Sequence, residues 1–224
     1  MSYFPLVEMV HQFTQHPSVL NRYLAELRDE HIQRDRMRFR RNLERVGEVA
    51  AYEISKTFAT GAHEVTTPFG SAGVTLPSND VVVATILRAG LPLHTGVLNV
   101  LDDAGSAFVS AYRKYTEDDE FDIHVEYISS PTLEGKTLIL VDPMIATGRS
   151  MILAYKALLA KGTPLHVHIV SAIASREGLQ YVRQHVPGDA RIWVGDVDDE
   201  LTAKAYIVPG LGDAGDLAFG PKDA

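Results

Sequence analysis

Two short, almost wholly apolar runs, Val81–Leu87 and Thr137–Val141, are rich in β-branched residues and bounded by turn formers. That pattern reads as strands buried on both faces, as in parallel sheets. Ala107–Ala111, His166–Ala172 and Arg191–Val194 repeat it in more mixed form. Between these runs the spacing becomes helical. Leu43, Val46, Val49, Ala50 and Ile54 fall on one face of a helix expected over Arg36–Phe58. Ser18 is placed to cap an earlier helix reaching about Glu30. Further helices are expected from Arg88-Ala-Gly-Leu-Pro92 to about Leu101, over 150–161 and over Arg176–His185, the second stopped by Lys161-Gly-Thr-Pro164. Glu64–Thr67 and Gly73–Leu76 read as a hairpin, and 113–131 as a polar excursion with an acidic tip, Glu117–Asp122. Strands alternating with helices predict an α/β fold with a mainly parallel sheet flanked by helices.

Composition narrows the chemistry. The 224 residues, 46% hydrophobic and 22% charged, suffice for one α/β domain with additions. Cysteine is absent, which removes disulfides, thiolate metal sites and cysteine nucleophiles. The formal charge of −8 argues against nucleic acid as the main partner. The basic run Arg34–Arg41 reads either as a grip on nucleic acid or a regulatory nucleotide, or as a solvated or subunit-contacting helix face. No apolar run approaches membrane-spanning length and no basic leader precedes one, so a cytoplasmic protein is expected.

The most telling stretch runs from Thr137 to Ser150, where an apolar strand ends in Asp142 and then turns through Pro143, Met144, Ile145, Ala146, Thr147, Gly148, Arg149 and Ser150 into a helix. Ligands of open α/β sheets sit at such carboxyl ends of strands. The amides of Thr147, Gly148, Arg149 and Ser150 suit an anion, whereas a carboxylate at 142 suits hydroxyl groups. A ribose phosphate satisfies both halves; an ordinary strand–turn–helix corner is the plainer alternative. Neither a Walker A loop nor a dinucleotide Gly-x-Gly-x-x-Gly occurs. No metal site is expected, because His166 and His168 lack a third ligand and the acidic tip lacks ordered ligand spacing. The tail Tyr206–Asp216 is too glycine-rich for an element interior and too apolar for a disordered end.

Ile86-Leu-Arg-Ala-Gly90, Val141-Asp-Pro-Met-Ile-Ala-Thr-Gly-Arg-Ser150 and Tyr206-Ile-Val-Pro-Gly-Leu-Gly-Asp-Ala-Gly-Asp216 together resemble uracil phosphoribosyltransferases, of the type I phosphoribosyltransferase family. His16-Pro-Ser-Val19, Tyr52-Glu53 and Tyr112-Arg113 follow in matching order. The resemblance implies transfer of the phosphoribosyl group of phosphoribosyl diphosphate to uracil, giving UMP and pyrophosphate. It implies one domain over 1–224, with an N-terminal helical segment 1–60, a flap at 113–131 and a base-binding hood at 195–224. Arg88, Asp142 and Asp213 would carry catalysis. Phosphoribosyl diphosphate would be held by Arg88, Arg113, Asp142 to Ser150 and Asp213, and uracil by Ile207, Gly212, Asp213 and Ala214. Asp216 would be structural.

Uracil presents acceptor, donor, acceptor along O2, N3–H and O4, and backbone groups of the tail can complement that edge. Cytosine would leave some of them unpaired, a mismatch that discriminates strongly. Mg²⁺ is expected to ride on the diphosphate, since Pro143 stands where many relatives carry a second acid. A homo-oligomer (dimer or tetramer) is expected, with GTP as a candidate activator. Arg149, where many members have a small residue, and the flap tip depart from the family pattern. Two other readings stand beside the enzyme: an RNA-binding attenuation regulator of pyrimidine operons with the same fold, and transfer to another base.

Overall fold

The computed structural model describes the backbone of residues 9–115 and 121–221, and the side chains of those residues other than 111–125. In chain order the elements are β1 (Val10–Gln12), α1 (Val19–Arg28), α2 (Arg36–Ser55), β2 (Thr60–Thr67), β3 (Gly70–Pro77), β4 (Val81–Leu87), α3 (Leu91–Leu98), β5 (Gly105–Tyr115) and β6 (Phe121–Ser129). They continue with β7 (Thr137–Val141), β8 (Met144–Ile145), α4 (Arg149–Leu158), β9 (His166–Ser175), α5 (Arg176–His185), β10 (Arg191–Asp198), β11 (Glu200–Leu201), β12 (Ile207–Val208) and α6 (Ala214–Phe219). The main sheet has the order β1-β10-β9-β7-β4-β5-β6, with β8 added to β9. Its pairings are parallel except for β5 with β6.

The side chains of β4 and β7 alternate between two apolar layers. Val83, Ile139 and Val141 pack towards the α1–α2–α3 face, and Val82, Ala84, Leu138 and Leu140 towards the α4–α5 face. This two-sided burial is why both strands read as unbroken apolar runs. Helix α6, from the tail, joins the first layer through Ala214 and Ala218. The tail therefore packs on the N-terminal helices.

Helix starts follow the chemistry of their caps. Ser18 accepts from Leu20 N at 3.2 Å while Asn21 reaches back to Ser18 N at 2.8 Å, a reciprocal cap for α1. Asp35 caps α2 through Arg38 N at 3.0 Å. The structure differs most from expectation in the segment read as a polar excursion. Residues 105–115 and 121–129 instead form an antiparallel pair at the sheet edge, with an irregularity between Ser110 and Ala111. Ala107 and Val109 at its start are buried, while Asp122, His124 and Glu126 interrupt the apolar residues of its second strand, so most of the hairpin left little trace in the hydrophobic pattern. Its acidic tip spans residues outside the described set.

β9 and β10 also run further than their apolar residues suggest, to Ser175 and Asp198. Among the described residues no helix is long and apolar enough to cross a membrane.

Candidate active site

Neighbouring strands β4 and β7 pair with Thr85 opposite Val141, so the loops after them leave the same sheet edge side by side. A Cβ built on Gly90 would lie 2.2 Å from Thr85 Oγ1 and 3.1 Å from Val141 O. Only glycine allows these two loops to approach so closely. Asp142 stands at that junction. Its carboxylate has no hydrogen-bond partner among the described residues, and burial pushes it up to about 8.

The loop from Asp142 to Ser150 divides into two parts. In the first, Pro143 O accepts from Ala172 N and Ile173 N, both at 3.1 Å, and Met144–Ile145 pair with Ile173–Ala174. That half is fastened to the sheet. The second part, Ala146 to Ser150, leads into α4 through Gly148 in the left-handed region (φ 75°), with no side chain capping the helix. The N–H groups of Thr147, Gly148, Ser150 and Met151 have no acceptor among the described residues, as expected of an open helix N-terminus. Arg149 is exposed and forms no ion pair among the described residues.

Two residues not singled out in the sequence hold this turn from behind. Ser175 Oγ donates to Ala146 O at 2.5 Å and accepts from Gly178 N at 2.8 Å. Gly178 lies so close that an added Cβ would be 2.1 Å from Ala146 O.

Arg88 follows β4, after a cis Leu87–Arg88 peptide. Its Nη2 donates to Asp216 Oδ1 at 2.8 Å and to Gly220 O at 2.7 Å. Its Nε is buried and has no partner among the described residues. A Cβ on Gly215 would lie 3.2 Å from Asp213 Oδ1 and 3.8 Å from Arg88 Nε, so Asp213 and Arg88 flank one glycine. Asp213 caps α6 by accepting from Asp216 N at 3.0 Å. The tail and the loop after β4 thus form one unit, with Asp216 as their ionic tie. Ile207 is buried opposite Leu201, Ala214 is buried in the first turn of α6, and Gly212 is exposed with φ 92°. The backbone of Arg113 pairs with Ile123; its side chain lies outside the described set.

Comparison with known proteins decides the family. A family model described as uracil phosphoribosyltransferase matches residues 13–221. The chain belongs to the uracil phosphoribosyltransferase family. It is 56% identical over 216 residues to the uracil phosphoribosyltransferase of Porphyromonas gingivalis, covering 96% of this chain and 100% of that one. The Thermococcus gammatolerans enzyme of the same name is 38% identical over 214 residues, covering 94% and 93%. The solved structure of the AQ2163 protein from Aquifex aeolicus superposes with a TM-score of 0.83 at 32% identity, covering 95% of this chain and 98% of that one.

Within this uracil phosphoribosyltransferase-family fold, the histidines offer no metal pair. His168 is buried, accepts from Trp193 Nε1 at 3.0 Å and is held down to about 3 by desolvation, then by Arg191 and neighbouring histidines. His166 is exposed, and no group of three metal-binding side chains occurs among the described residues.

Three arginines of the basic run Arg34–Arg41 are engaged within the molecule. Arg38 pairs with Glu26 (2.7 Å), Arg41 with Glu44 (2.6 Å), and Arg40 donates to Ala218 O (2.6 Å). Sequence reasoning missed Ser175, Gly178 and this arginine–tail contact. Spacing alone gave no signal for any of them.

Proposed function

We infer that this chain transfers the phosphoribosyl group of phosphoribosyl diphosphate to uracil, releasing pyrophosphate and forming UMP. The chain is a uracil phosphoribosyltransferase by family, and the activity is that of pyrimidine salvage. The observation that carries the residue roles is the meeting of three segments at one sheet edge: the loop after β4, the loop after β7, and the tail.

In this reading the free amides of Thr147, Gly148, Ser150 and Met151 bind the 5′-phosphate, as helix N-termini bind anions. Asp142 accepts from the ribose hydroxyls. Arg88 supplies a guanidinium, with an unpartnered Nε, to the diphosphate. Negative charge gathers there as uracil N1 attacks the anomeric carbon and the C–O bond breaks. Asp213 faces the sugar from the tail side, while backbone groups of Ile207, Gly212 and Ala214 read the uracil edge. Arg113, at the start of the hairpin, closes on the leaving group. The single domain with its hairpin flap and hood belongs to the same proposal. Water must be kept from the activated sugar, which gives hairpin and hood a second task.

Mg²⁺ fits as a companion of the diphosphate. Asp142 is a lone carboxylate followed by proline, so protein ligation would be no more than this oxygen, through water. When bound, the metal would neutralise the diphosphate. A homo-oligomer is supported by exposed apolar side chains on the β2–β3 arm, Val65, Phe69 and Leu76. The phosphates of a GTP activator would find a cationic match in Arg45, in an open groove of about 290 Å³ whose other arginines, Arg22 and Arg38, are tied to Glu26. The RNA-regulator reading loses support, because Arg38, Arg40 and Arg41 of the basic run are engaged internally.

The test is conversion of labelled uracil to UMP with phosphoribosyl diphosphate and Mg²⁺. UMP and pyrophosphate should appear one for one, and cytosine should give none. Folded protein that makes no UMP across pH and with GTP present would overturn the reading. Asp213→Asn should lower turnover at least tenfold while the melting temperature holds; unchanged turnover would remove Asp213 from the site.

A further inference from the structure

The tail is held from behind at successive carbonyls. Arg28, at the end of α1, donates from Nη1 to Gly210 O at 3.0 Å and to Asp198 Oδ2 at 2.7 Å. Its Nη2 donates to Asp198 Oδ1 at 2.9 Å and to Asp196 Oδ2 at 3.0 Å. Asp198 in turn accepts from Gly210 N at 3.0 Å, and its side chain is 7% exposed. Asp196 is braced by Gln12 and Thr14 at 2.9 and 2.8 Å. One residue on, the Gln33 side-chain amide, turned to the orientation that satisfies its neighbours, donates to Leu211 O at 2.7 Å and to Leu27 O at 3.1 Å.

A trans peptide is planar, and its N–H points opposite to its C=O. Drawing the Gly210 carbonyl towards Arg28 therefore aims the Leu211 N–H away from the N-terminal helices. Drawing the Leu211 carbonyl towards Gln33 does the same for the Gly212 N–H. Neither N–H has a partner among the described residues. Gly212 is exposed, one residue before Asp213 and three before the glycine that abuts Arg88.

We propose that Arg28 and Gln33 are positioning residues for base recognition, fixing the peptide planes that present the Leu211 and Gly212 N–H groups to the oxygen atoms of the pyrimidine. The proposal rests on the reading of the tail as the base site. It gives the N-terminal helices a role beyond packing. They orient the donors that separate a pyrimidine carbonyl from an amine. Arginine suits the task because a fork satisfied on both prongs by Asp198 leaves little freedom.

The test uses Gln33→Met, which keeps volume and removes both donors, and Arg28→Lys, which keeps charge and loses the fork. For each, KM is measured separately for uracil and for phosphoribosyl diphosphate, together with the uracil-to-cytosine ratio of kcat/KM. A misplacement on the order of an ångström can cost ~100-fold. On that scale the uracil KM is expected to rise roughly 10- to 100-fold and the selectivity ratio to fall by at least about tenfold. The KM for phosphoribosyl diphosphate should stay within about threefold.

A merely structural role would move both KM values together, or neither, and either result overturns the proposal. If Arg28→Lys does not fold, Asp198→Asn takes its place with the same expectation. Wild-type protein that never converts uracil would overturn the site reading itself, a different result from active protein with unmoved variants.

Discussion

The loop after β7 and the glycine-rich tail both present bare backbone to the site, yet they are held in opposite ways. The loop is fastened by the sheet: Met144–Ile145 pair with β9, Pro143 O takes two amides, and Ser175 and Gly178 press on Ala146. Its lone carboxylate, Asp142, is left without a partner among the described residues. The tail has a two-residue pairing, β11 with β12, and is otherwise fastened by side chains: Arg28, Gln33, Arg40 and Arg88 reach the carbonyls of residues 210, 211, 218 and 220. On the proposed reading, the sheet fastens the part that would hold the sugar phosphate, and side-chain anchors fasten the part that would meet the base.

The largest effect should come from breaking the backing of the loop. Gly178→Ala forces a Cβ against Ala146 O, and no flexible group can yield there. We expect a loss of about 3–5 kcal/mol by chemical denaturation, or failure to fold. The corresponding break behind the tail is Glu26→Gln. Glu26 joins α1 to α2 by accepting from Arg38 at 2.7 and 2.8 Å and from Asn42 at 2.8 Å. Those bonds, Arg38 first, hold its carboxyl down to about 2. Gln keeps an acceptor but removes the charge facing Arg38, whose side chain is 39% exposed, so the denaturation midpoint should fall, by less than for Gly178→Ala.

The two regions should also titrate in opposite senses. Glu26 has its pKa lowered on folding, so its stabilisation is complete above the unfolded value near 4.5 and is lost as pH falls towards about 2. Asp142 has its pKa raised to about 8. Above the unfolded value of 3.8 the unfolded chain releases this proton while the native chain keeps it, so stability declines as pH rises towards 8. Asp142→Asn should therefore stabilise the protein by about 1–3 kcal/mol at pH 7 while crippling turnover. A variant that is both less stable and fully active would contradict the role given to Asp142. The smallest effect belongs to Arg149→Ala. With no ion pair to lose, it should shift stability by no more than about 0.5 kcal/mol.

The loop was legible in the sequence because its determinants are local. An apolar run, an acid, a glycine and a helix follow one another within fourteen positions, 137–150. The sheet and most helices were legible for the same reason. The tail's own residues stood out by their glycines, and the family resemblance implied a base site there.

What held the tail could not be read. Arg28 and Gly210 are far apart in sequence, and nothing about an arginine closing a helix distinguishes a buried fork from a solvated end. Arg34–Arg41 illustrates the same limit. It read as a charged surface, but Arg38 clamps two helices and Arg40 ends on the tail. Of the β5–β6 hairpin only Ala107–Ala111 was read as a strand, because edge-strand bonding needs no apolar alternation. Its length became visible only in the register with β4 and across the hairpin.

The central claim is that sugar phosphate and base are bound by separately fastened regions. Calorimetric titration with ribose 5-phosphate, which carries the sugar and phosphate without a base, tests it most directly. At pH 8, Gln33→Met should bind ribose 5-phosphate with the wild-type Kd, and Asp142→Asn should bind it about tenfold more weakly, the loss of a charge-assisted hydrogen bond. Equal weakening in both variants, or weakening in Gln33→Met alone, would contradict the separation.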